Sequence, residues 1–575
     1  MKTRVKYLVA LFLTFGFLAF GQTNKTAFFE EGQLQENLQV VFNHKTALVG
    51  ETLRYQIYCF DRENDSTYSE LSEIAYVTII NSAHKTLLKQ KVNLVEGVGT
   101  GSFFIPPSFE NGHYKLIAYT KIMLSQEKQF AGKDLVFLNP YEPIPPKNLK
   151  KDTATLISQS PKTATKNQQP LTLETDKKIY QQREKVTLTI AGSTIDPRNK
   201  YVLDVVKKDS LHLIADQYAG KSSKIKINPT GKRYAPELRG ALLQGSIVPQ
   251  GETAQSYDEK LLALSIPGKQ SIFKVAQTNA EGQFLFELPK NESLSKSQIQ
   301  VQFLQKENWQ QQAKIEVDSF QVFTKNLPIS PSISVPASFK KQISERSIAV
   351  QIENAYIKKK RDSVVNTSSL KPFYAPLQKE YVLDEYTSFS TVEKTLTEII
   401  PRIHFEKKEG RSRIVLYDYI NNDLEGFYGN TLVLVDGALL KNLDKLLQYN
   451  PKKISRIDDV NRGYIYGPYI FNGVINFITK NQDYQHTVAA NEFTKEIRNP
   501  LSEIKPFQPN YGEQASKRIP DYRYTLFWQP HLKLNHDGKK FSFYTSDITG
   551  TFEITLKGFD QDGNFIIRKK DIKVK

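Results

Sequence analysis

Short apolar runs that alternate with polar residues and stop at turn residues recur along most of the 575-residue chain. A period of two puts alternate side chains on opposite faces of a strand, so such a chain must bury sheet faces against one another. Leu53-Arg54-Tyr55-Gln56-Ile57-Tyr58-Cys59-Phe60 begins in strict alternation. Residues 75–80 read as another strand, and residues 114–119 as the strand behind the tight turn Asn111-Gly112. Strands ~8–12 residues apart with turn signals between them predict β-sandwiches. The 29 Tyr and 34 Phe suit that reading, because aromatic side chains favour strands. The Gly-rich stretch 97–106 lacks the Lys-Ser/Thr of a phosphate loop and opens no helical pattern, so it reads as a turn into an edge strand.

Punctuation divides the chain. A first β-sandwich is expected at 22–140. Pro143, Pro145, Pro146, Pro161 and Pro170 then lie among Lys, Thr, Ser and Gln, which marks a linker at 141–170. A second β-sandwich region follows at 171–235. Its entry, Asp176-Lys177-Lys178-Ile179-Tyr180 before Glu184-Lys185-Val186-Thr187-Leu188-Thr189-Ile190, echoes His44-Lys45-Thr46-Ala47-Leu48 before Glu51-Thr52-Leu53-Arg54-Tyr55-Gln56-Ile57. That is an internal repeat: a short entry, a turn with Glu, then an alternating strand. A third β domain is expected at 236–325, with a turn and strand at 277–286. Pro328, Pro331 and Pro336 mark a linker at 326–380, in which 344–356 reads as a short helix or a strand.

Residues 381–482 differ. Val392, Leu396, Ile399 and Ile400 recur at helical spacing, strands are expected at 414–419, 431–437, 454–460 and 473–480, and a helix at 443–449. This is a small α+β domain. Pro500, Pro506, Pro509 and Pro520 mark a linker at 483–520, and turns at Asp537-Gly538 and Asp562-Gly563 punctuate a C-terminal β unit at 521–575.

The first residues predict export. Lys2, Arg4 and Lys6 precede the uncharged apolar run 7–20, and Ala19 and Gly21 put small residues before a cut at Gln22, so 1–21 reads as a signal peptide. No Cys follows the run and no second long apolar segment exists, so neither a lipid anchor nor a transmembrane helix is expected. The single cysteine, Cys59, excludes an intramolecular disulfide and reads as a buried strand residue. The net charge of +17 falls to +14 without Lys2, Arg4 and Lys6. Its Lys and Arg are scattered, and export argues against nucleic acid, so contact with an anionic lipid or lipopolysaccharide surface is the better expectation. The densest basic run, Lys358-Lys359-Lys360-Arg361, reads as a solvated helix end or loop.

Three segments resemble known families. Val49-Gly50-Glu51-Thr52-Leu53 and Asn111-Gly112-His113-Tyr114-Lys115-Leu116 resemble the macroglobulin-type β-sandwiches of bacterial envelope proteins. Arg239-Gly240 and Glu281-Gly282-Gln283-Phe284 resemble the carboxypeptidase-regulatory type of Ig-like domain. Leu434-Val435-Asp436-Gly437, Tyr466-Gly467 and Asn472-Gly473-Val474-Ile475-Asn476-Phe477-Ile478-Thr479-Lys480 resemble the plug domain of TonB-dependent outer-membrane receptors. The combination is similar to macroglobulin-plus-plug envelope proteins of Bacteroidota-like bacteria. The resulting expectation is a mainly β protein of tandem Ig-like, macroglobulin-type β-sandwiches, one plug-like α+β domain and a C-terminal β unit. A receptor plug sits inside a barrel of ~22 strands, which takes on the order of 200 residues. Only 95 residues follow Lys480, and no TonB-box segment follows the signal peptide, so gated uptake by this chain alone is not expected. Val435, Asp436, Gly437, Tyr466, Gly467, Asn472, Gly473, Val474 and Asn476 are the candidate motif, read chiefly as structural: Asp-Gly favours a tight turn, and Gly473 allows close backbone approach.

Local chemistry is absent. His44, His84, His113, His212, His404, His486, His531 and His536 fall into no His-Glu-x-x-His or Cys/His ligand pattern, so no metal is expected. No Gly-x-Ser-x-Gly elbow occurs. Asp458 and Asp459 are adjacent and on a strand point to opposite faces. A macroglobulin thioester needs Cys-x-Glu-Gln, whereas Cys59 precedes Phe60-Asp61-Arg62. No catalytic residue and no cofactor are expected. The leading expectation is a non-enzymatic protein of the periplasm or outer membrane that docks its plug-like domain to an outer-membrane barrel protein or envelope complex. The alternatives are a carbohydrate- or peptide-binding protein and, behind it, a hydrolase whose site no local motif reveals.

Overall fold

In the strand Lys185–Gly192 the side chains of Val186, Leu188 and Ile190 are buried, while Lys185, Thr187 and Thr189 lie on the other face. The computed structural model of this chain is mainly β, and strands covered on both faces, such as Ile74–Asn81, are buried along nearly their whole length. It describes residues 35–575 except 62–66, 126–128, 144–148, 151–170, 193–195, 217–223, 227–233, 253–254, 289–295, 306, 320–326, 331–332, 365–370, 401–402, 409–410, 417–429, 499, 502–503, 513–517, 536 and 561–562. The expected signal peptide, most of the 141–170 linker and His536 lie outside the described residues.

The first sandwich faces one sheet, Glu36–Phe42, Thr52–Asp61 and Val98–Phe104, against another containing Thr86–Asn93, Ile74–Asn81, Gly112–Tyr119 and Gln129–Leu138. The Gly-rich stretch supplies Val98–Phe104, antiparallel to Thr52–Asp61. Cys59 is fully buried. Its neighbours Tyr58 and Phe60 are buried too, because their face packs on Val202, Trp528 and Phe559 of the second sandwich.

The second sandwich is built from both ends of the chain. One sheet is Leu171–Thr175, Lys185–Gly192 and Lys539–Tyr544; the other runs Ile179–Tyr180, Phe565–Val574, Gly550–Phe559, Lys200–Lys207, Thr525–Leu532. The C-terminal strands therefore form, but they close this sandwich and do not stand alone. The internal repeat has a physical basis here. In each copy a short strand pairs parallel with the last strand of its own sandwich: Thr46–Leu48 with Gln129–Leu138, and Ile179–Tyr180 with Phe565–Val574. In each the turn Glu accepts a backbone bond from three residues back, Leu48 N to Glu51 at 2.8 Å and Gln181 N to Glu184 at 2.6 Å.

The third domain pairs Ala241–Pro249 with Gln283–Leu288 and Ala313–Val317, over a sheet of Ile272–Gln277, Leu261–Ile266, Lys296–Phe303 and Phe493–Arg498. Phe493–Arg498 comes from the segment expected to be a linker at 483–520, a correction with a clear cause: its strand partner lies far away in sequence. The core of this domain is continuous with that of the first sandwich. Glu237 fastens the junction, accepting from Tyr76 OH at 2.9 Å and pairing with Lys121 at 3.0 Å.

The α+β domain has the sheet order Lys379–Val382, Ile454–Tyr466, Tyr469–Thr479, Leu432–Val435, Ala438–Leu439. Leu432–Val435 is parallel to Tyr469–Thr479. Helices Val392–Ile399 and Asp444–Leu447 cover one face. Thr391 caps the first of them by accepting from Lys394 N at 3.2 Å. Residues 344–356, read as helix or strand, lie in the helix Lys340–Ala355 and its C-terminal cap Tyr356.

Candidate functional site

The expected motif residues lie in the α+β sheet, several of them where it meets the third domain. Leu432, Leu434, Val460, Phe471 and Val474 on one face of the sheet pack with Ala263 and Phe273. Because the helices cover the opposite face, Val435, Ile475 and Phe477 are buried there as well.

The Val435-Asp436-Gly437 turn needs left-handed backbone, with φ of 49° at Asp436 and 79° at Gly437. A Cβ on Gly437 would lie 2.1 Å from Ser271 Oγ, so the turn sits directly on the third domain. The Asp436 carbonyl accepts from Gly268 N at 3.1 Å, and Leu439 N donates to Ser265 Oγ at 3.1 Å. The Asp436 carboxylate accepts from Thr479 N at 2.8 Å and from Thr479 Oγ1 at 2.7 Å. Burial pushes its pKa up, and the two Thr479 bonds oppose that shift.

Asn476 joins this turn to a buried chain of polar groups. Gly437 N donates to Asn476 Oδ1 at 3.1 Å, Asn476 Nδ2 donates to Tyr374 OH at 2.7 Å, and Tyr374 OH donates to Asp458 Oδ2 at 2.9 Å. Arg456 Nε lies 2.9 Å from Asp458 Oδ1. Asp458 and the turn thus communicate through one amide and one phenol.

At the other end of the sheet Tyr466 OH donates to Phe273 O at 2.7 Å, and Gly467 stands over Val275. Gly473 has φ of 85°, and a Cβ there would lie 2.6 Å from Val460 O. Thr431 Oγ1 donates to Asn472 O at 3.0 Å. Val474 is buried. Asp436-Gly437 and Tyr466-Gly467 thus form two clusters that clamp the α+β sheet to the third domain. Beyond the clamp, Ile465 and Ile470 form a cross-strand pair on the outer face of the Ile454–Tyr466/Tyr469–Thr479 hairpin, 74% and 37% exposed.

A cleft of about 630 Å³ lies elsewhere, where four segments distant in sequence converge. Its walls are residues 44–54 of the first sandwich, 350–362 at the end of the long helix, 506–508, and 522–528 leading into the edge strand of the second sandwich. Arg54 Nη2 donates to Asp362 Oδ2 at 2.9 Å, and Phe507 N donates to Asp362 Oδ1 at 2.9 Å. Glu353 accepts from Tyr522 N and from Lys360 Nζ, each at 2.6 Å. His44 Nε2 lies 3.0 Å from Thr525 Oγ1; burial, with the cations Arg346, Lys557 and Arg54, holds its pKa well below the ordinary value. Phe507, Tyr524, Phe527 and Trp528 also line the cleft. Sequence reasoning missed this site, because its walls share no local pattern. The one visible signal was the basic run 358–361, which follows the helix end as a loop. Among the described residues no His, Cys, Asp and Glu cluster of three or more is placed to hold a metal, and no helix is long and apolar enough to cross a membrane.

No family model matches the sequence, and no curated protein matches it. Among solved structures, the chain is similar to a Salmonella α2-macroglobulin reacted with methylamine, with 10% identity, 94% of this chain and 39% of that chain covered, and a TM-score of 0.24. An Escherichia coli α2-macroglobulin activated by porcine elastase aligns at 8% identity over 94% of this chain and 44% of that one, TM-score 0.23. The Yersinia pseudotuberculosis adhesin InvE aligns at 10% identity over 52% and 62%, TM-score 0.13. The chain spans about two fifths of the length of the macroglobulins it matches. At these scores the matches assign neither a domain arrangement nor an activity.

Proposed function

We propose that this chain is a non-enzymatic, exported interaction protein of the cell envelope, which docks through its plug-like domain onto an outer-membrane barrel or surface assembly. The observation that carries the reading is the exposed Ile465–Ile470 pair. Both faces of the plug-like sheet are otherwise occupied by the chain's own helices and third domain. Among the described residues the hairpin end presents the most exposed apolar side chain of this sheet, Ile465, to a partner, and Tyr464 and Tyr466 anchor it through hydroxyls that donate to Phe373 O and Phe273 O. The net positive charge suits approach to an anionic lipid or lipopolysaccharide surface.

The test is co-purification from detergent-solubilised outer membranes. Wild-type chain is expected to retain a barrel protein, and Ile465→Ser/Ile470→Ser to lose it while folding normally. Recovery of wild-type chain alone would sink the reading. A second reading, peptide or carbohydrate binding, is favoured by one specific observation, the 630 Å³ cleft, a size within the ~300–1,000 Å³ usual for ligand sites.

A further inference from the structure

We infer that the cleft between the first sandwich, the long helix and the edge strand Thr525–Leu532 binds a short acidic peptide segment with apolar side chains. The inference rests on the second reading above and is independent of docking through the hairpin.

Three features select this ligand. The first is uncommitted positive charge at the mouth. Arg54 is paired with Asp362, Lys360 with Glu353, and Arg523 with Asp521. Lys358 and Arg361 line the cleft, are exposed, and have no carboxylate partner among the described residues. They stand just past the C-terminus of Lys340–Ala355, where the helix end favours cations and holds them in place. An anionic group entering the cleft meets two cations without having to break an existing ion pair.

The second feature is a buried acceptor that needs a donor. Gln508 Nε2 donates to Leu526 O at 3.2 Å. Its Oε1 is buried and without a hydrogen-bond partner among the described residues. An acceptor left in that state is costly, because it has given up water and gained nothing in return. Ionised phosphate or carboxylate has no proton to offer it. A peptide N–H does, on the same molecule that carries the carboxylates, once the Gln508 amide turns toward the cleft that it lines.

The third is the apolar lining. Val350, Ile357, Phe507, Leu526, Phe527 and Trp528 contribute to the walls, so the ligand needs apolar side chains as well as charge. An acidic segment with interspersed Leu or Phe satisfies all three, and an inorganic anion satisfies the first alone.

Trp528 is itself a reporter, since the chain has only two Trp and the other, Trp309, packs against Tyr257 and Phe303 in the third domain. The experiment titrates the full chain carrying Trp309→Phe with the tetrapeptide acetyl-Asp-Leu-Asp-Leu, read by Trp528 fluorescence and by calorimetry. Saturable binding is expected. It should weaken by about tenfold or more in Lys358→Glu/Arg361→Glu, whose exposed positions leave the fold intact, and by several-fold in Gln508→Leu. Ile465→Ser/Ile470→Ser should bind like its parent, which separates this inference from hairpin docking. No binding at ~1 mM peptide, or affinity unchanged by the charge reversal, overturns the assignment. So does equal affinity for phosphatidylglycerol vesicles or inorganic phosphate, which would make the two cations a general anion site.

Discussion

Asn476 holds both ends of its amide in protein hydrogen bonds, to Gly437 N and to Tyr374 OH, and it is buried. Truncation to Ala leaves the Gly437 N–H without an acceptor inside a sheet covered on both faces, at ~1–3 kcal/mol, and removes the donor to Tyr374 OH, a bond worth ~0.5–1.5 kcal/mol more, while the phenol keeps its bond to Asp458. Asn476→Ala is therefore expected to lower unfolding stability by roughly 2–5 kcal/mol, measured by urea denaturation. Asn476→Asp should be comparably costly, since a carboxylate cannot donate to Tyr374 and lies in one chain with Asp458. A loss below ~0.5 kcal/mol for both would show that the polar chain does not hold the turn. The tight turn at Asp436-Gly437 and the need for a bare Gly473 were legible as residue preferences. What they are tight against was not. Ser271 and Phe273, which the turn and Tyr466 touch, lie far away in sequence.

Among the elements, the helix Lys340–Ala355 shows how a weakly patterned segment becomes fixed. Its sequence left helix and strand open, because few of its positions are apolar. Tertiary charge decides its place. Arg346, 2% exposed, donates from Nε to Glu51 Oε1 at 2.6 Å and from Nη1 to Asp209 Oδ2 at 2.7 Å, and lies over the Tyr524 ring. One guanidinium thus ties the helix to the first sandwich and to the segment following Lys200–Lys207 of the second. These carboxylates hold its pKa above the ordinary value despite burial, which acts in the opposite sense. Arg346→Ala leaves Glu51 and Asp209 together without their cation, and we expect a loss of roughly 3–5 kcal/mol in chemical denaturation. Glu51→Gln, which keeps the acceptor for Leu48 N, should cost distinctly less. Equal losses would mean that the Glu51–Arg346 ion pair alone sets the cost, and not the two carboxylates left without a cation. The repeat of short entry, turn Glu and alternating strand was legible at this scale because its bonds are local.

At the scale of the molecule, the second sandwich is interrupted between Lys200–Lys207 and Thr525–Leu532, and everything between is inserted into it. A chain ending at residue 520 loses one of the two partners of Lys185–Gly192 and both partners of Lys200–Lys207, and uncovers Val186, Leu188, Ile190, Leu203 and Val205. Limited proteolysis with mass spectrometry should find cleavage at 171–207 in that truncation and protection in the full chain. A truncation that stays protected there would contradict the shared sandwich. The sequence by itself determined the strands, their inward faces, the turns and the α+β character of 381–482, because side-chain period and glycine conformation act within a few residues. Tertiary structure alone decided that residues 525–574 complete the sandwich begun at 171, that 493–498 joins the third domain, and that four separate segments enclose the cleft. The reason is that a strand's buried face specifies burial but not its partner: hydrogen-bond edges are chemically alike, and only the joint closure of all the sheets selects which edges meet.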